Sequence, residues 1–336
     1  MNRRRVTLFF LLLAIFFLVF YPSKKQKYTH NQGKIFGTYY SVIYQQPEGE
    51  DLHEQIKQQL DKVDASLSMF NDTSIISRIN RNEDVVVDDL FVKMYQVAHD
   101  VSTLTHGAFD ITVAPLVTFW GFGKATSHDV DINALDSIRK LVGYQLIELR
   151  DGRIYKQNPA ITLDASAIAK GYGSDIVAQF LKEQGCKNYM VEIGGEVVCH
   201  GKNEKGKPWR IGINKPIEDT TGMVNEIEEV LHLTDKAVAT SGNYRQFYYK
   251  EGKKYAHTID PRTGQPVQHN LLSATVIAPT CMEADAWATA FMVLGPHVAD
   301  SLAAALDQIE CMFICVDEQG KYQVTKTDGF DKYTKD

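Results

Sequence analysis

Two rhythms of apolar and polar residues run along this chain and divide it into helices and strands. Leu52, Ile56, Leu60, Val63 and Leu67 recur at strides of three and four, so residues 50–70 read as an amphipathic helix. Ser74 is placed to cap a short helix ending near Asn80. Met94, Val97, Ala98, Val101 and Leu104 repeat the helical stride after Asp88 and Asp89, with His106-Gly107 as the stop. Further helical patterns cover residues 132–142, 282–294 and 297–306. β-Branched and aromatic enrichment predicts strands at 33–44, 146–149, 154–156, 189–193, 197–199, 209–213, 227–233, 246–249, 273–277, 312–316 and 322–325. Asp151-Gly152 is a hairpin turn signal, whereas Ala239-Thr-Ser-Gly-Asn-Tyr-Arg245 reads as a polar turn.

Helices mixed with hairpins, without regular βαβ alternation, indicate an α+β fold. The expectation is a single compact domain of mostly antiparallel sheet with packed helices over residues 31–330. Ahead of it, Arg3, Arg4 and Arg5 precede an apolar run to Tyr21, then Pro22 and Lys24, Lys25 and Lys27. Residues 1–30 therefore read as a signal peptide or signal-anchor. An uncleaved anchor is the preferred form, because no A-x-A-like site follows. Basic residues on both flanks leave its orientation open.

Charge and composition narrow the classes. A net charge of −6 argues against nucleic acid as a partner, and 44% hydrophobic with 23% charged residues is ordinary for a folded chain. Cys186, Cys199, Cys281, Cys311 and Cys315 are scattered and form no C-x-x-C pair, so no disulfide framework is expected. The ten histidines are dispersed with no H-E-x-x-H, which disfavours zinc. The Gly195–Lys202 stretch has the wrong spacing for a P-loop, and Ser166 and Lys170 are too far apart for S-x-x-K.

Four stretches carry candidate chemistry. Residues 163–175 read Leu-Asp-Ala-Ser-Ala-Ile-Ala-Lys-Gly-Tyr-Gly-Ser-Asp, where a strand-like run over 160–163 meets a helical pattern stopped by Gly185. Such a strand-to-helix junction offers free amides and a positive dipole end to phosphate. The plainer reading is a helix capped by Ser166 with Lys170 on the surface. Asp285 and Thr289, four apart, share one helix face, a pairing that suits Mg²⁺; alternatively Asp285 is exposed and Thr289 bonds back to its own helix. Residues 257–264 pack His257, Asp260 and Arg262 around a Pro/Gly turn. His257 is a candidate acid or base, and Arg262 either holds phosphate or pairs with Asp260. Residues 107–123, apolar and aromatic with Asp110 as their one acid, are core or the wall of a pocket for a flat ligand.

Taken in order, these stretches resemble the FAD:protein FMN transferase (ApbE) family. The matching pieces are Phe36-Gly-Thr-Tyr-Tyr, Ser68-Met-Phe with Ser74 through Asn80, and Gly107-Ala-Phe-Asp-Ile-Thr-Val-Ala-Pro-Leu-Val with Trp120-Gly-Phe-Gly. They continue as Asp164-Ala-Ser-Ala-Ile-Ala-Lys-Gly-Tyr, Gly194-Gly-Glu, Thr240-Ser-Gly-Asn-Tyr-Arg, His257-Thr-Ile-Asp-Pro-Arg-Thr-Gly and Ala284-Asp-Ala-Trp-Ala-Thr. The resemblance implies a Mg²⁺-dependent enzyme that transfers the FMN half of FAD to a Ser or Thr of a target flavoprotein, releasing AMP. An FAD pyrophosphatase and a non-catalytic flavin-binding protein are the rival readings. Phe36, Phe70, Ala108, Phe109, Asp110, Asp164, Lys170 and Ile259 resemble the FAD contacts. The Ala167 carbonyl, Asp285 and Thr289 resemble the metal site, and His257 and Asp285 the catalytic pair. Flavin-carrying subunits of Nqr/Rnf-type respiratory complexes are the implied acceptors. The implied location is the periplasmic face of a bacterial inner membrane, reached through the N-terminal segment. Phe36 stands where several relatives have methionine and Phe70 where some have tyrosine, and no lipobox cysteine is present.

Overall fold

The computed structural model describes residues 27–123, 130–218, 226–244, 246–250 and 252–335. The signal or anchor segment expected at residues 1–30 lies almost wholly outside the described residues, as does Arg245 of the polar turn. Among the described residues no helix is long and apolar enough to cross a membrane.

The chain opens with strands β1 (Thr29–Ile35) and β2 (Thr38–Tyr44), then helices α1 (His53–Leu67), α2 (Ile75–Asn80), α3 (Asp89–Leu104), α4 (Ala114–Phe119) and α5 (Leu135–Arg139). A ribbon of β3 (Ile147–Arg150) and β4 (Arg153–Lys156) precedes helix α6 (Ala169–Glu183). Strands β5 (Tyr189–Ile193), β6 (Glu196–His200), β7 (Trp209–Asn214), β8 (Ile227–Leu233) and β9 (Lys236–Gly242) follow. Then come β10 (Phe247–Lys250), β11 (Lys253–Ala256), β12 (Ile259–Asp260), β13 (Gln265–Pro266) and β14 (Leu271–Ala278). Helices α7 (Cys281–Leu294) and α8 (Pro296–Ala303) and strands β15 (Glu310–Val316) and β16 (Tyr322–Lys326) complete the fold.

An eight-stranded sheet in the order β1-β2-β5-β6-β9-β14-β15-β16 organises the molecule, and each neighbouring pair is antiparallel. One face carries α1, α6 and α7, while the β7–β8 ribbon lies against the other. β15 shows why: Phe313 and Cys315 enter the helix-side core, whereas Met312 and Ile314 enter the ribbon-side core. A strand buried on both faces reads as an unbroken apolar run. Helix α7 is apolar nearly all round and is the most enclosed helix, so its Asp285, only 2% exposed, is conspicuous.

Local capping follows the sequence closely. The Ser74 side chain accepts the Ser77 amide and the Asp88 side chain accepts the Phe91 amide. Asp151 and Gly152, with φ of 52° and 68°, make the expected turn between β3 and β4.

Four expectations are corrected. Residues 33–44 are a hairpin rather than one strand, because Phe36 and Gly37 take positive φ and fold the chain back. Residues 239–242 are not a turn but the end of β9, a central strand between β6 and β14. Its hydroxyls are absorbed by tertiary partners, Thr240 by Thr275 and Ser241 by Thr289. Residues 160–163 alternate like a strand yet join no sheet, since the Asn80 side chain takes the place of a pairing strand at Leu163. Ser166 does not cap α6; the N-cap is Ile168, with no side-chain cap bond.

Candidate active site

The site grows from the contact between α6 and α7. In a regular first turn the Gly171 amide would lack an intrahelical partner or reach the carbonyl of Ala167. Here it donates to Asp285 Oδ2 at 3.0 Å, so a carboxylate from α7 satisfies the start of α6. The Ala167 carbonyl is thereby left without the helical donor four residues ahead. Only glycine allows this approach: a Cβ at residue 171 would strike the Cys281 carbonyl and lie 2.8 Å from Asp285 Cβ. Asp175 reciprocates from α6, accepting the Cys281 and Met282 amides of α7 at 2.9 and 2.8 Å.

Lys170 is not on the surface, as its plainer reading had it. Its ammonium lies 3.1 Å from Glu196 Oε1 and 3.6 Å from Asp285 Oδ2. Burial alone would lower the lysine pKa, but Asp285 and Glu196 outweigh it and hold the value above the ordinary one. Burial raises Glu196, with Lys170 pulling it back and Asp285 pushing it further up. The sequence pointed to Gly194-Gly-Glu only as a motif; Glu196 becomes a site residue because β6 lifts it onto the helix side of the sheet.

Thr289 is half-buried, one turn after Asp285, and its Oγ1 meets Ser241 Oγ at 3.1 Å rather than its own helix. Carboxylate, hydroxyl and backbone carbonyl make an all-oxygen donor set of the kind a hard divalent cation takes. Among the described residues no group of three or more His, Cys, Asp or Glu side chains is placed to hold a metal ion.

His257 stands on the same side. Burial lowers its pKa, and the Lys170 ammonium pushes in the same direction, so the imidazole is neutral near pH 7. Its Nδ1 is 3.2 Å from the Gln246 carbonyl, which can only accept; Nδ1 therefore carries the proton and Nε2 the lone pair. Arg262 does not reach for phosphate: its Nε and Nη2 hold both oxygens of Asp260 at 2.9 Å.

The remaining candidates form the surrounding wall with unequal exposure. The Phe36 ring, at the β1–β2 turn, lies over Gly173 of α6, one turn from Lys170. Phe70 is 61% exposed in the loop after α1, beside Met69, whose sulfur meets Ser166 Oγ. Asp164 accepts the Ser166 amide at 2.8 Å, and its own amide donates to Ile111 at 2.7 Å, which ties it to the Asp110 segment. Asp110 is buried and accepts the amide and hydroxyl of Thr112; burial raises its pKa against those bonds. Ala108 is likewise buried. The Phe109 ring is enclosed in the main core and offers no face to stack on, and Ile259 packs with Leu116, Trp120 and Leu135 in a separate cluster. All five cysteines are buried free thiols.

Comparison with known proteins identifies the fold and the family. A family model described as the ApbE family matches residues 36–313. The FAD:protein FMN transferase of Vibrio cholerae is 36% identical over 330 residues, covering 96% of this chain and 95% of that protein. That of Haemophilus influenzae is 39% identical over 296 residues, covering 84% of this chain and 85% of its own. Among solved structures, flavin transferase ApbE from Vibrio cholerae aligns with a TM-score of 0.82 at 36% identity, over 91% of this chain and 99% of that one. The apo flavinyl transferase ApbE of Pseudomonas stutzeri gives 0.81 at 32% identity, over 92% and 97%. The helix pair and its lysine thus sit in a fold shared along nearly the full length of these proteins, and the chain belongs to the ApbE family.

Proposed function

We propose that the chain is an FAD:protein FMN transferase, which joins the FMN half of FAD to a Ser or Thr hydroxyl of a target protein and releases AMP. The observation that carries this reading is the meeting of Lys170 and Asp285 at one helix junction, where the Gly171 amide also donates to Asp285. Phosphoryl transfer of this kind depends on positioning and on charge, and this junction concentrates both. The names of the relatives support the same activity.

Mg²⁺ is the metal this donor set suits, held by Asp285, Thr289 and the Ala167 carbonyl. Bound there, it supplies neutralisation of phosphate charge. The chain's own groups do the rest. Lys170 adds a positive charge to the pocket that receives the pyrophosphate. Neutral His257 takes the proton of the acceptor hydroxyl on Nε2 as that oxygen bonds to the FMN phosphorus and the bond to AMP breaks. Phe36 and Phe70 present ring faces for the flavin and adenine, and Asp110 and Asp164 frame the ligand.

The proposed acceptors are flavin-carrying subunits of Nqr/Rnf-type complexes. The basic and apolar pattern of residues 1–30 supports attachment to the inner membrane, and the family resemblance, not that pattern, supports the periplasmic face. The deciding experiment incubates the chain with FAD, Mg²⁺ and an acceptor domain, then reads in-gel flavin fluorescence and AMP. Labelled acceptor with AMP is expected. AMP alone would make the chain a pyrophosphatase, and neither product would leave a flavin-binding protein.

A further inference from the structure

We propose that Glu196 is a positioning residue, the seat to which the Lys170 ammonium withdraws when a divalent cation takes Asp285. The inference rests on the metal reading above and adds a role for a residue outside the donor set.

The argument is an accounting of donors and acceptors. A lysine ammonium has three N–H groups. Around Lys170 Nζ stand Glu196 Oε1 at 3.1 Å, the Ser166 carbonyl at 3.4 Å and Asp285 Oδ2 at 3.6 Å. In the metal-free chain the ammonium therefore neutralises Asp285. A dication on that carboxylate would repel an ammonium so close, and the third N–H, which Asp285 at 3.6 Å holds by charge rather than by a hydrogen bond, would turn to another acceptor. Glu196 Oε2 is that acceptor: it is buried and has no hydrogen-bond partner among the described residues. An orphaned buried oxygen is costly unless some state of the protein uses it. The seat is also held in place, because Ser174 Oγ donates to the Glu196 carbonyl at 3.1 Å, one turn along α6 from Lys170. Lys170 can thus change partner by a side-chain movement while both backbones stay fixed.

The test titrates Mn²⁺ alone, followed by its paramagnetic resonance, into the full chain and into Glu196→Gln, Lys170→Met and the double variant. The buffer is held above the raised Glu196 value of about 8, which burial causes, so that the carboxylate is charged. Glu196→Gln should weaken Mn²⁺ binding about tenfold, while in the Lys170→Met background the same change should cost less than about threefold. Lys170→Met alone should bind at least as tightly as the native chain. Glu196→Asp, which keeps the charge, should retain most of the affinity, and it carries the test if the glutamine variant fails to melt cooperatively. An equal penalty with and without Lys170 overturns the proposal, because Glu196 would then act by its field alone. Failure of the native chain to take up Mn²⁺ saturably overturns the metal reading itself. That result is distinct from a native chain that binds and a variant that is insensitive.

Discussion

Asp175 and Asp285 cap each other's helices. Asp285 of α7 accepts the Gly171 amide of α6, and Asp175 of α6 accepts the Cys281 and Met282 amides of α7. Each carboxylate answers the positive end of the opposite helix, so the two starts are locked in register. That lock delivers Lys170 to Asp285.

The lock has a pH signature. Burial pushes Asp175 up to about 7, against the two amide bonds that pull it down. Between its ordinary 3.8 and about 7 the folded chain keeps a proton that the unfolded chain has lost, so stability falls as pH rises through that window. Asp175→Asn has no proton to lose and should flatten this part of the curve, while costing about 1 kcal/mol for the lost acceptor. Urea midpoints across the window measure it, and an unchanged slope rejects the assignment.

Gly171→Ala should drive the helices apart. The added methyl meets the Cys281 carbonyl and Asp285 Cβ, backbone and buried side chain that have no room to yield. A loss of about 1–3 kcal/mol is expected from overpacking, with a fall in FAD turnover larger than the stability change explains. A variant with native melting and native AMP release would show that the close approach is dispensable.

Asn80 should matter beyond its own helix. Its Nδ2 donates to the Leu163 carbonyl at 2.9 Å and its Oδ1 accepts the Leu163 amide at 2.7 Å. Lys156 supports the same segment through the Ile79, Pro159 and Ile161 carbonyls. Asn80→Ala strands two buried main-chain groups and should cost about 2 kcal/mol, with weaker FAD binding because Asp164 follows directly. Thermal melts and flavin fluorescence titration read the two effects separately.

His257 sets an acid limb. Since burial lowers its pKa, the neutral base persists below 6.5, and kcat/KM should begin to fall only under that value. His257→Asn should reduce transfer by about a hundredfold or more and remove the limb. A limb that survives in this variant belongs to another group.

Asp285→Ala should abolish transfer, a loss of at least about a hundredfold, because it removes both the charged oxygen donor and a partner of Lys170. AMP release under saturating FAD is the readout. Normal activity would remove the proposed metal position.

How much of this was legible along the chain differs by residue. The face of α1, the Ser74 cap and the Asp151-Gly152 turn depend on neighbours within a few positions, and the structure has them as read, whereas on α3 Met94, Ala98 and Val101 are buried but Leu104, expected to share their inward face, is 53% exposed. The Asp285/Thr289 face was legible for the same reason, since helical spacing alone aligns them. Asn80 and Leu163 were not, being linked across 83 positions by a side chain that imitates a strand.

Sequence alone determined the local geometry, the α+β class, the acidic balance and the chemical types in each motif, because periodicity and capping act over one or two helical turns. Tertiary structure decided which of those groups meet. It made residues 239–242 part of a central strand, because hydroxyls of Thr240 and Ser241 found partners on β14 and α7 that no local pattern announces. It enclosed Phe109 and left Phe70 in solvent, although both are aromatic residues beside polar turns. It turned Lys170 from a surface cation into the shared partner of Glu196 and Asp285. The interaction that counts there joins two helices and a strand far apart in sequence, and only the packed sheet brings their charges within 4 Å.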